Sequence, residues 1–322
     1  MTIRELMEQA RAEVGKVVLG QEEVVTQLLT AVLAGGHVLV EGVPGVAKTL
    51  LGKALARCIS ADFKRVQCTP DLMPTDITGT NVFDTQTRAF RLVKGPVFTN
   101  VLLVDEINRT PPKTQAALLE AMQEGNVTVR GKTYPLEKPF FVLATQNPIE
   151  LEGTYPLPEA QLDRFLFNIV IDYLGEEEEL QVVLRTTGEV QAEAEAVTTA
   201  QDLLSFQNLV RRIPLAESVG RYAVNLVRAS RPSRNDAGLE FVNKYTSYGA
   251  SVRAAQFLAL AGKARALLEG RYNVSCEDIR ALARPVMRHR VLTNFHAESD
   301  RVTSDMLIAR LLESVPPPKS EL

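Results

Sequence analysis

The stretch His37-Val38-Leu39-Val40-Glu41-Gly42-Val43-Pro44-Gly45-Val46-Ala47-Lys48-Thr49-Leu50-Leu51-Gly52-Lys53-Ala54-Leu55-Ala56 decides the fold. Its first five residues are a short apolar run, and a glycine-rich turn and a helix-forming segment follow. Strand, glycine loop and helix open a βαβ unit. Gly42 to Thr49 matches G-x-x-x-x-G-K-[ST], except that Ala47 replaces the last glycine. The backbone N–H groups of such a loop wrap a triphosphate, and the helix N-terminus behind it adds positive potential. Lys48 would reach the β- and γ-phosphates, and the Thr49 hydroxyl would ligate Mg²⁺. The candidate nucleotide-binding set is Gly42, Val43, Pro44, Gly45, Val46, Ala47, Lys48, Thr49 and Leu50. Ala47 suits this cradle only if its φ is negative.

Four more apolar runs lie downstream: Phe63 to Gln67, Val101 to Asp105, Phe140 to Thr145 and Phe167 to Asp172. Unbroken by polar alternation, they suit strands covered on both faces. A helix carrying Leu118, Leu119 and Met122 lies between the third and fourth of these five strands. Strands alternating with helices predict a parallel α/β sheet. Two β-hairpins interrupt the rhythm: Asn81–Phe83 with Ala89–Leu92, and Val127–Val129 with Lys132–Tyr134 around the turn Arg130-Gly131. Upstream, Ile3, Leu6, Met7, Ala10 and Val14 recur at helical spacing, and Thr2 and Glu5 fit a capping box. A second helix runs from about Gln21 to Val32 and stops at Gly35-Gly36.

From about Gly175 the character changes. Glu176 to Glu179 suits the first turn of a helix, where negative charge complements the dipole. Gln191 to Ala200 is poor in bulky apolar residues and reads as a linker or loop. Beyond Gln201 the periodicity is helical, punctuated by Pro214, Pro232 and Pro285, and the tail Pro316 to Ser320 is not helical. The expected organisation is an α/β domain over 1–174, a linker helix and loop over 175–200, and a small all-helical domain over 201–322.

The chain of 322 residues has 36 basic and 39 acidic residues, a net charge of −3. With 45% hydrophobic and 23% charged residues it is neither disordered nor a small stapled scaffold. The slightly acidic balance argues against a chain that coats nucleic acid or an anionic membrane. Cys58, Cys68 and Cys276 form no C-x-x-C pair, and His37, His289 and His296 form no metal-binding pair, so three reduced thiols in a cytoplasmic protein are expected. The start Met1-Thr2-Ile3-Arg4-Glu5 lacks an apolar core, so no signal peptide is expected, and no run is long enough to span a bilayer.

Val101-Leu102-Leu103-Val104-Asp105-Glu106 supplies the second half of a nucleotide site. Asp105 at the strand's end would hold Mg²⁺, usually through water. Glu106 could polarise an attacking water as general base. Paired with the phosphate loop, and with no acceptor-pocket motif, this signature reads as a hydrolase. The nearest approach to the guanine-reading N-K-x-D is Asn243-Lys244-Tyr245-Thr246, which lacks the acid, so ATP is favoured. Asn147, in Thr145-Gln146-Asn147-Pro148, could orient the water, or it could be a turn former before proline.

The order phosphate loop, Asp-Glu, Asn147, Asp163-Arg164-Phe165 and Gly249-Ala250-Ser251-Val252-Arg253 resembles the AAA+ ATPases. Within them it is similar to the MoxR family. The stretches that carry the likeness are Gln67-Cys68-Thr69-Pro70-Asp71-Leu72-Met73-Pro74 and Lys94-Gly95-Pro96-Val97-Phe98. Asp105-Glu106-Ile107-Asn108-Arg109-Thr110-Pro111-Pro112-Lys113-Thr114-Gln115 and Leu157-Pro158-Glu159-Ala160-Gln161-Leu162-Asp163-Arg164-Phe165 add to it. It runs from Val18-Leu19-Gly20-Gln21 to about Leu312. Similar MoxR sequences tolerate Ala47, and Val252 stands where the family often has proline.

The resemblance implies roles by position. Asn147 would be the first sensor, Arg164 an arginine finger for a neighbouring subunit's γ-phosphate, and Arg253 the second sensor in cis. Val18 to Gln21 would hold the adenine, with Gln21 in the binding set. The hairpins would be the helix-2 insert and the insertion before the first sensor. From the residues alone, Arg164 could pair with Asp163 or a surface acid, Arg253 could be a helix-start charge, and Arg109 could face the neighbour's nucleotide or be structural. The implied protein is an ATP- and Mg²⁺-dependent chaperone with a P-loop AAA+ parallel sheet and a helical lid. It would form a homo-oligomeric ring, by likeness a hexamer, with ATP between the α/β domain and the lid and a protein client. The resemblance also implies a von Willebrand factor A domain partner, which would be a separate chain, since nothing resembling D-x-S-x-S follows an apolar strand here. The rivals are a nucleic-acid motor, a magnesium chelatase-like motor subunit, and a nucleotide-gated scaffold that barely turns over. The hairpins offer only Arg88, Arg91, Lys94, Arg130 and Lys132, which is little for tracking phosphates.

Overall fold

The computed structural model describes residues 3–43, 45–46, 48–148, 153–187, 192–233 and 238–318. Its strands are β1 (Val38–Gly42), β2 (Phe63–Gln67), β3 (Gly79–Asp84), β4 (Ala89–Lys94), β5 (Val101–Asp105), β6 (Asn126–Val129), β7 (Lys132–Pro135), β8 (Phe141–Gln146), β9 (Phe167–Ile171), β10 (Thr246–Tyr248) and β11 (Leu292–Thr293). The α/β part carries helices α1 (Ile3–Val17), α2 (Glu22–Ala34), α3 (Lys48–Cys58), α4 (Pro74–Thr78), α5 (Pro112–Glu124) and α6 (Glu159–Leu162). After β9 come α7 (Glu176–Thr186), α8 (Ala200–Arg212), α9 (Glu217–Ala229), α10 (Glu240–Tyr245), α11 (Val252–Leu268), α12 (Cys276–Met287), α13 (Phe295–Ser299) and α14 (Ser304–Ser314).

The five apolar runs pair as one parallel sheet in the order β2-β5-β8-β1-β9. Val101 to Val104 in β5 and Phe141 to Thr145 in β8 are buried throughout, as strands covered on both faces must be. The edge strand β2 buries only Val66 and leaves Lys64, Arg65 and Gln67 exposed. After β1 the chain crosses to the far edge and returns strand by strand. β1 is therefore flanked by β8 and β9, and a crevice opens beyond the carboxyl ends of these strands.

Both hairpins form. β3 pairs with β4 from Gly79↔Lys94 to Asp84↔Ala89, and β6 with β7 from Asn126↔Pro135 to Val129↔Lys132. The two turn residues of the second, Arg130 and Gly131, both have positive φ (50° and 78°), as a primed hairpin turn requires. The base of the first closes on Gly95, where a Cβ would overlap the Ile77 carbonyl. The Phe83 and Phe90 rings meet edge to face at 5.3 Å, and the Arg130 guanidinium lies 5.2 Å from the Phe90 ring, which ties the hairpins together.

α1 buries the expected Leu6, Met7, Ala10 and Val14, while Thr2 lies outside the described residues. α2 ends on left-handed Gly35. Gln191 lies outside the described residues, but 192–199 is no free linker. Val197 and Thr198 donate their N–H groups to Cys58 O, Arg57 pairs with Glu193 at 2.6 Å, and Ala194 is buried. Alanine and threonine there dock on α3 because small side chains let the backbone approach it. α7 buries no described side chain, and Leu180, Val183 and Leu184 form an exposed apolar stripe.

Two features of the helical part escaped its periodicity. Pro285, expected as punctuation, lies inside α12, and β10 and β11 form a short antiparallel pair. The helical part docks directly on the sheet. α12 runs antiparallel along β9, with Arg288 Nη1 donating to Asn168 O and His289 Nε2 donating to Phe165 O. Among the described residues no helix is long and apolar enough to cross a membrane.

His37 seals the edge of the sheet where the strands begin. Its Nε2 lies 3.0 Å from Met122 O and its Nδ1 accepts the Val142 N–H at 3.1 Å, which assigns the proton to Nε2. A second proton would face the Val142 N–H, and burial pushes the imidazole down to about 4. The unfolded chain takes up that proton near pH ~6.5. Stability from this group is therefore full above that value and falls as the pH drops toward 4. Thermal midpoints measured from pH 7.5 to 4.5 are expected to fall more gently for His37→Gln, whose amide keeps both partners; equal slopes would refute the assignment.

Candidate active site

The phosphate loop joins the end of β1 to the start of α3. Gly42 is buried against β9, and a Cβ there would lie 2.7 Å from Ile171 O. Gly45 has φ 88°, a conformation open to glycine and strained for other residues, and its surroundings are open. Val43, Val46 and Thr49 are half-buried and Leu50 is exposed. Pro44 and Ala47, with the φ on which Ala47 depends, lie outside the described residues. Lys48 Nζ donates to Gly42 O at 2.6 Å, curled over its own loop. Burial pulls the ammonium below its ordinary value, while the negative charges of Asp105 and Glu106 oppose that. The lysine of the loop and the Asp-Glu pair thus share one electrostatic site.

Asp105 ends β5. Its Oδ1 accepts the Thr145 hydroxyl at 2.7 Å, and its Oδ2 accepts Arg65 Nη2 at 2.7 Å and Nε at 3.2 Å. Glu106 follows in the left-handed region, φ 58° and ψ 52°, a conformation that costs a non-glycine residue on the order of 1–3 kcal/mol and concentrates at functional sites. Its N–H donates to Thr145 Oγ1 at 2.9 Å, which holds the strained residue. Its Oε2 accepts Arg109 Nε at 2.9 Å and Gln67 Nε2 at 3.2 Å. Arg109 is thereby drawn to its own subunit's Glu106. Asn147 is buried just beyond β8, on the same edge of the sheet.

Arg65, Gln67 and Thr145 were not singled out from the sequence. The signal was the polar content of β2, with Lys64, Arg65 and Gln67 exposed rather than covered on both faces as expected, and its register sets Gln67 beside Asp105. That register becomes visible only when β2 is known to neighbour β5.

Arg164 and Arg253 lie elsewhere. Phe167 pairs with Val38 where β9 and β1 begin, whereas the phosphate loop leaves β1 at the other end, where Gly42 pairs with Ile171. About 15 Å of strand separates the two edges. Arg253 Nη1 donates to Asp163 Oδ2 at 3.0 Å, four residues before β9. The resemblance places Arg253 in cis at its own phosphates; in this structure it pairs with Asp163 near the other edge of the sheet. α12 docks the lid along β9 in a direction that carries the start of α11 to the opposite edge. Arg164, next to Asp163, lines a cavity of about 270 Å³ with Glu120, Gln123 and Gln161, also away from Lys48.

Gln21 Nε2 donates to Asp172 O at 3.4 Å just beyond β9. With Gly20, Tyr173, Arg280 and Arg284 it lines a cavity of about 580 Å³ between the α/β part and α12. Asp172, which lines it, follows Ile171, the register partner of Gly42, and the recess has the size of a ligand pocket.

The donors fit a magnesium nucleotide. Mg²⁺ is a hard cation that takes oxygen ligands and keeps several waters. The Thr49 hydroxyl and the Asp105 carboxylate are such ligands, and Lys48, within the electrostatic reach of Asp105, carries the charge that phosphate oxygens require.

A sheet with β1 between β8 and β9, a phosphate loop at its carboxyl end and Asp-Glu at the end of β5 defines a P-loop ATPase of the AAA+ class. Residues 37–167 match a family model of ATPases associated with various cellular activities, and 240–311 match the AAA lid domain. The chain is similar to "Chaperone MoxR1" of Mycobacterium tuberculosis, 42% identical over 97% of this chain and 82% of that one. It is 41% identical to the uncharacterised YeaC of Bacillus subtilis, over 97% and 95%. It is 33% identical to "Protein MoxR" of Methylorubrum extorquens, over 95% and 93%. A crystal structure of a Cytophaga hutchinsonii protein assigned as an ATPase superposes with a TM-score of 0.90 at 43% identity, over 98% of this chain and 96% of that one. The chain belongs to the MoxR family of AAA+ ATPases.

Proposed function

We propose that this ATPase is Mg²⁺-dependent, works as a homo-oligomeric ring, hexameric by family likeness, and remodels or matures protein complexes. Residues 1–174 hold the nucleotide, 175–200 connect, and 201–322 form the lid. The observation that carries the reading is the separation of Arg164 and Arg253 from Lys48 within one chain. A subunit whose arginines lie far from its own phosphates needs a neighbour's. The exposed apolar stripe of α7 supports self-association.

ATP is bound with its adenine near Gln21 and its phosphates in the loop from Gly42 to Thr49. Lys48 releases Gly42 O and binds the β- and γ-phosphate oxygens. Thr49 and, through water, Asp105 would hold Mg²⁺, which would supply positive charge to offset that of the phosphates. Glu106 takes a proton from the water attacking the γ-phosphorus, Asn147 orients that water, and the bond to the β–γ bridging oxygen breaks to release ADP and phosphate. Arg164 of a neighbour, with Arg253 beside it, stabilises the charge that develops on the γ-phosphoryl oxygens. The hairpins transmit the resulting motion to a protein client. The name of the M. tuberculosis relative supports a chaperone role, and the family likeness suggests a von Willebrand factor A domain partner in the cytoplasm.

Steady-state ATPase measurement tests the reading. Turnover should vanish in EDTA and return with Mg²⁺. Lys48→Ala should weaken ATP binding by about 2–5 kcal/mol, the usual cost of truncating one partner of a buried charge pair. Unchanged affinity, or turnover in EDTA, would overturn it, and ATPase stimulation by DNA would favour a nucleic-acid motor.

A further inference from the structure

The segment that carries Arg164 is held by one side chain. Arg290 lies just beyond α12 with its side chain 2% exposed. Its Nε donates to Asp163 Oδ1 at 2.7 Å and its Nη2 to Asp163 O at 2.8 Å. The same guanidinium donates to Phe165 O at 2.5 Å, to Leu166 O at 3.5 Å and to Val286 O in its own helix. It also lies 5.0 Å from the Phe257 ring of α11. The partners on the α/β side are residues 163, 165 and 166, which bracket Arg164 on both sides. Asp163 is shared, since Arg253 Nη1 and the Ser251 hydroxyl also donate to it. Arg164 itself has no hydrogen bond or ion pair among the described residues beyond its backbone N–H to Gln161 O. Its backbone is clamped while its side chain is left available.

A clamp on a buried guanidinium is costly unless its donors are used. A planar fork that reaches a carboxylate and several carbonyls at once is a task for which lysine cannot substitute. Burial pulls the Arg290 guanidinium down to about 10, with Asp163 opposing, so it keeps its charge at neutral pH. Most of this ordering is spent on the three residues flanking Arg164. Lid packing alone would need only the neighbouring apolar contacts of α12 on β9.

We propose that Arg290 is a positioning residue for the arginine finger: it fixes the backbone on both sides of Arg164, so that the lid of one subunit sets the geometry of catalysis in the next. This rests on Arg164 acting in trans, as proposed above. An arginine finger works only when its guanidinium meets the charge of the transition state. A displacement of about 1 Å can cost on the order of 10²-fold in rate.

The test uses Arg290→Lys, which keeps the charge and loses the fork. The full-length variant should bind ATP as the parent does and hydrolyse it at least tenfold more slowly, with the loss in kcat rather than KM. Mixing with Glu106→Gln subunits is the decisive measurement. Those subunits lack the base but carry a well-placed Arg164, while Arg290→Lys subunits keep Glu106, so mixed assemblies should recover turnover. A structural defect inside the Arg290→Lys subunit would not be repaired from outside. If Arg290→Lys does not fold, judged by ATP binding and thermal unfolding, Asp163→Asn undoes the same clamp and should show the same recovery. Parent-like turnover would overturn the proposal. So would a loss that Glu106→Gln subunits fail to restore when they do restore Arg164→Ala. If they restore neither, the trans reading of Arg164 fails first.

Discussion

Arg164→Ala should lower the rate of ATP hydrolysis by about 10³–10⁵-fold, the range over which an arginine finger acts. ATP binding should stay within a few-fold of the parent. The transition state of phosphoryl transfer spreads negative charge over the γ-phosphoryl oxygens, and a guanidinium contributes most where that charge is largest. In the proposed mechanism ground-state binding rests on the loop and Lys48 at the opposite edge of the same subunit, which the substitution leaves intact. Folding should be little affected, because the side chain is half-exposed and makes no described side-chain hydrogen bond or ion pair. Arg164→Ala and Glu106→Gln are each expected to be inactive alone and partly active when mixed, because one lacks the finger and the other the base. Substantial turnover by Arg164→Ala alone, measured at saturating ATP, would remove the finger from the mechanism.

Glu106→Gln is expected to cut turnover by about 10²–10⁴-fold, the usual contribution of a positioned general base. The amide has the shape of the carboxylate and can keep contacts to Arg109 and Gln67, so the site should remain intact. The left-handed backbone at 106 is held by the Thr145 hydroxyl and does not depend on the side chain's charge. The variant should therefore hold ATP unhydrolysed. Bound nucleotide recovered after gel filtration should be ATP, where the parent yields ADP. If ADP accumulates at the parent rate, another group takes the proton. Used as bait with ATP, the same variant should retain the client complex.

The five strands and the phosphate loop were legible because their signals are local. An apolar run of five residues, a glycine turn and Lys-Thr lie within a dozen positions, and backbone geometry confines them to a strand–loop–helix. Asp105-Glu106 was legible for the same reason. Its partners were not, because Arg65 and Gln67 reach it only through the register of β2 against β5. Pro285 was misjudged because a proline near a helix's last turn looks like one that ends it.

The arginines divide the two kinds of information most clearly. The residues in order were enough to identify a P-loop ATPase of the AAA+ class and to single out Arg164 and Arg253 as candidates for its machinery. They left open where Arg253 would sit relative to the phosphate loop, because the direction in which a lid docks leaves no local trace. Packing between distant elements sets α12 antiparallel to β9, and that single direction carries Arg253 to Asp163 and Arg290 to the backbone around Arg164. Residues 163 and 290 are far apart in the chain, and side-chain packing between distant elements is what brings them together.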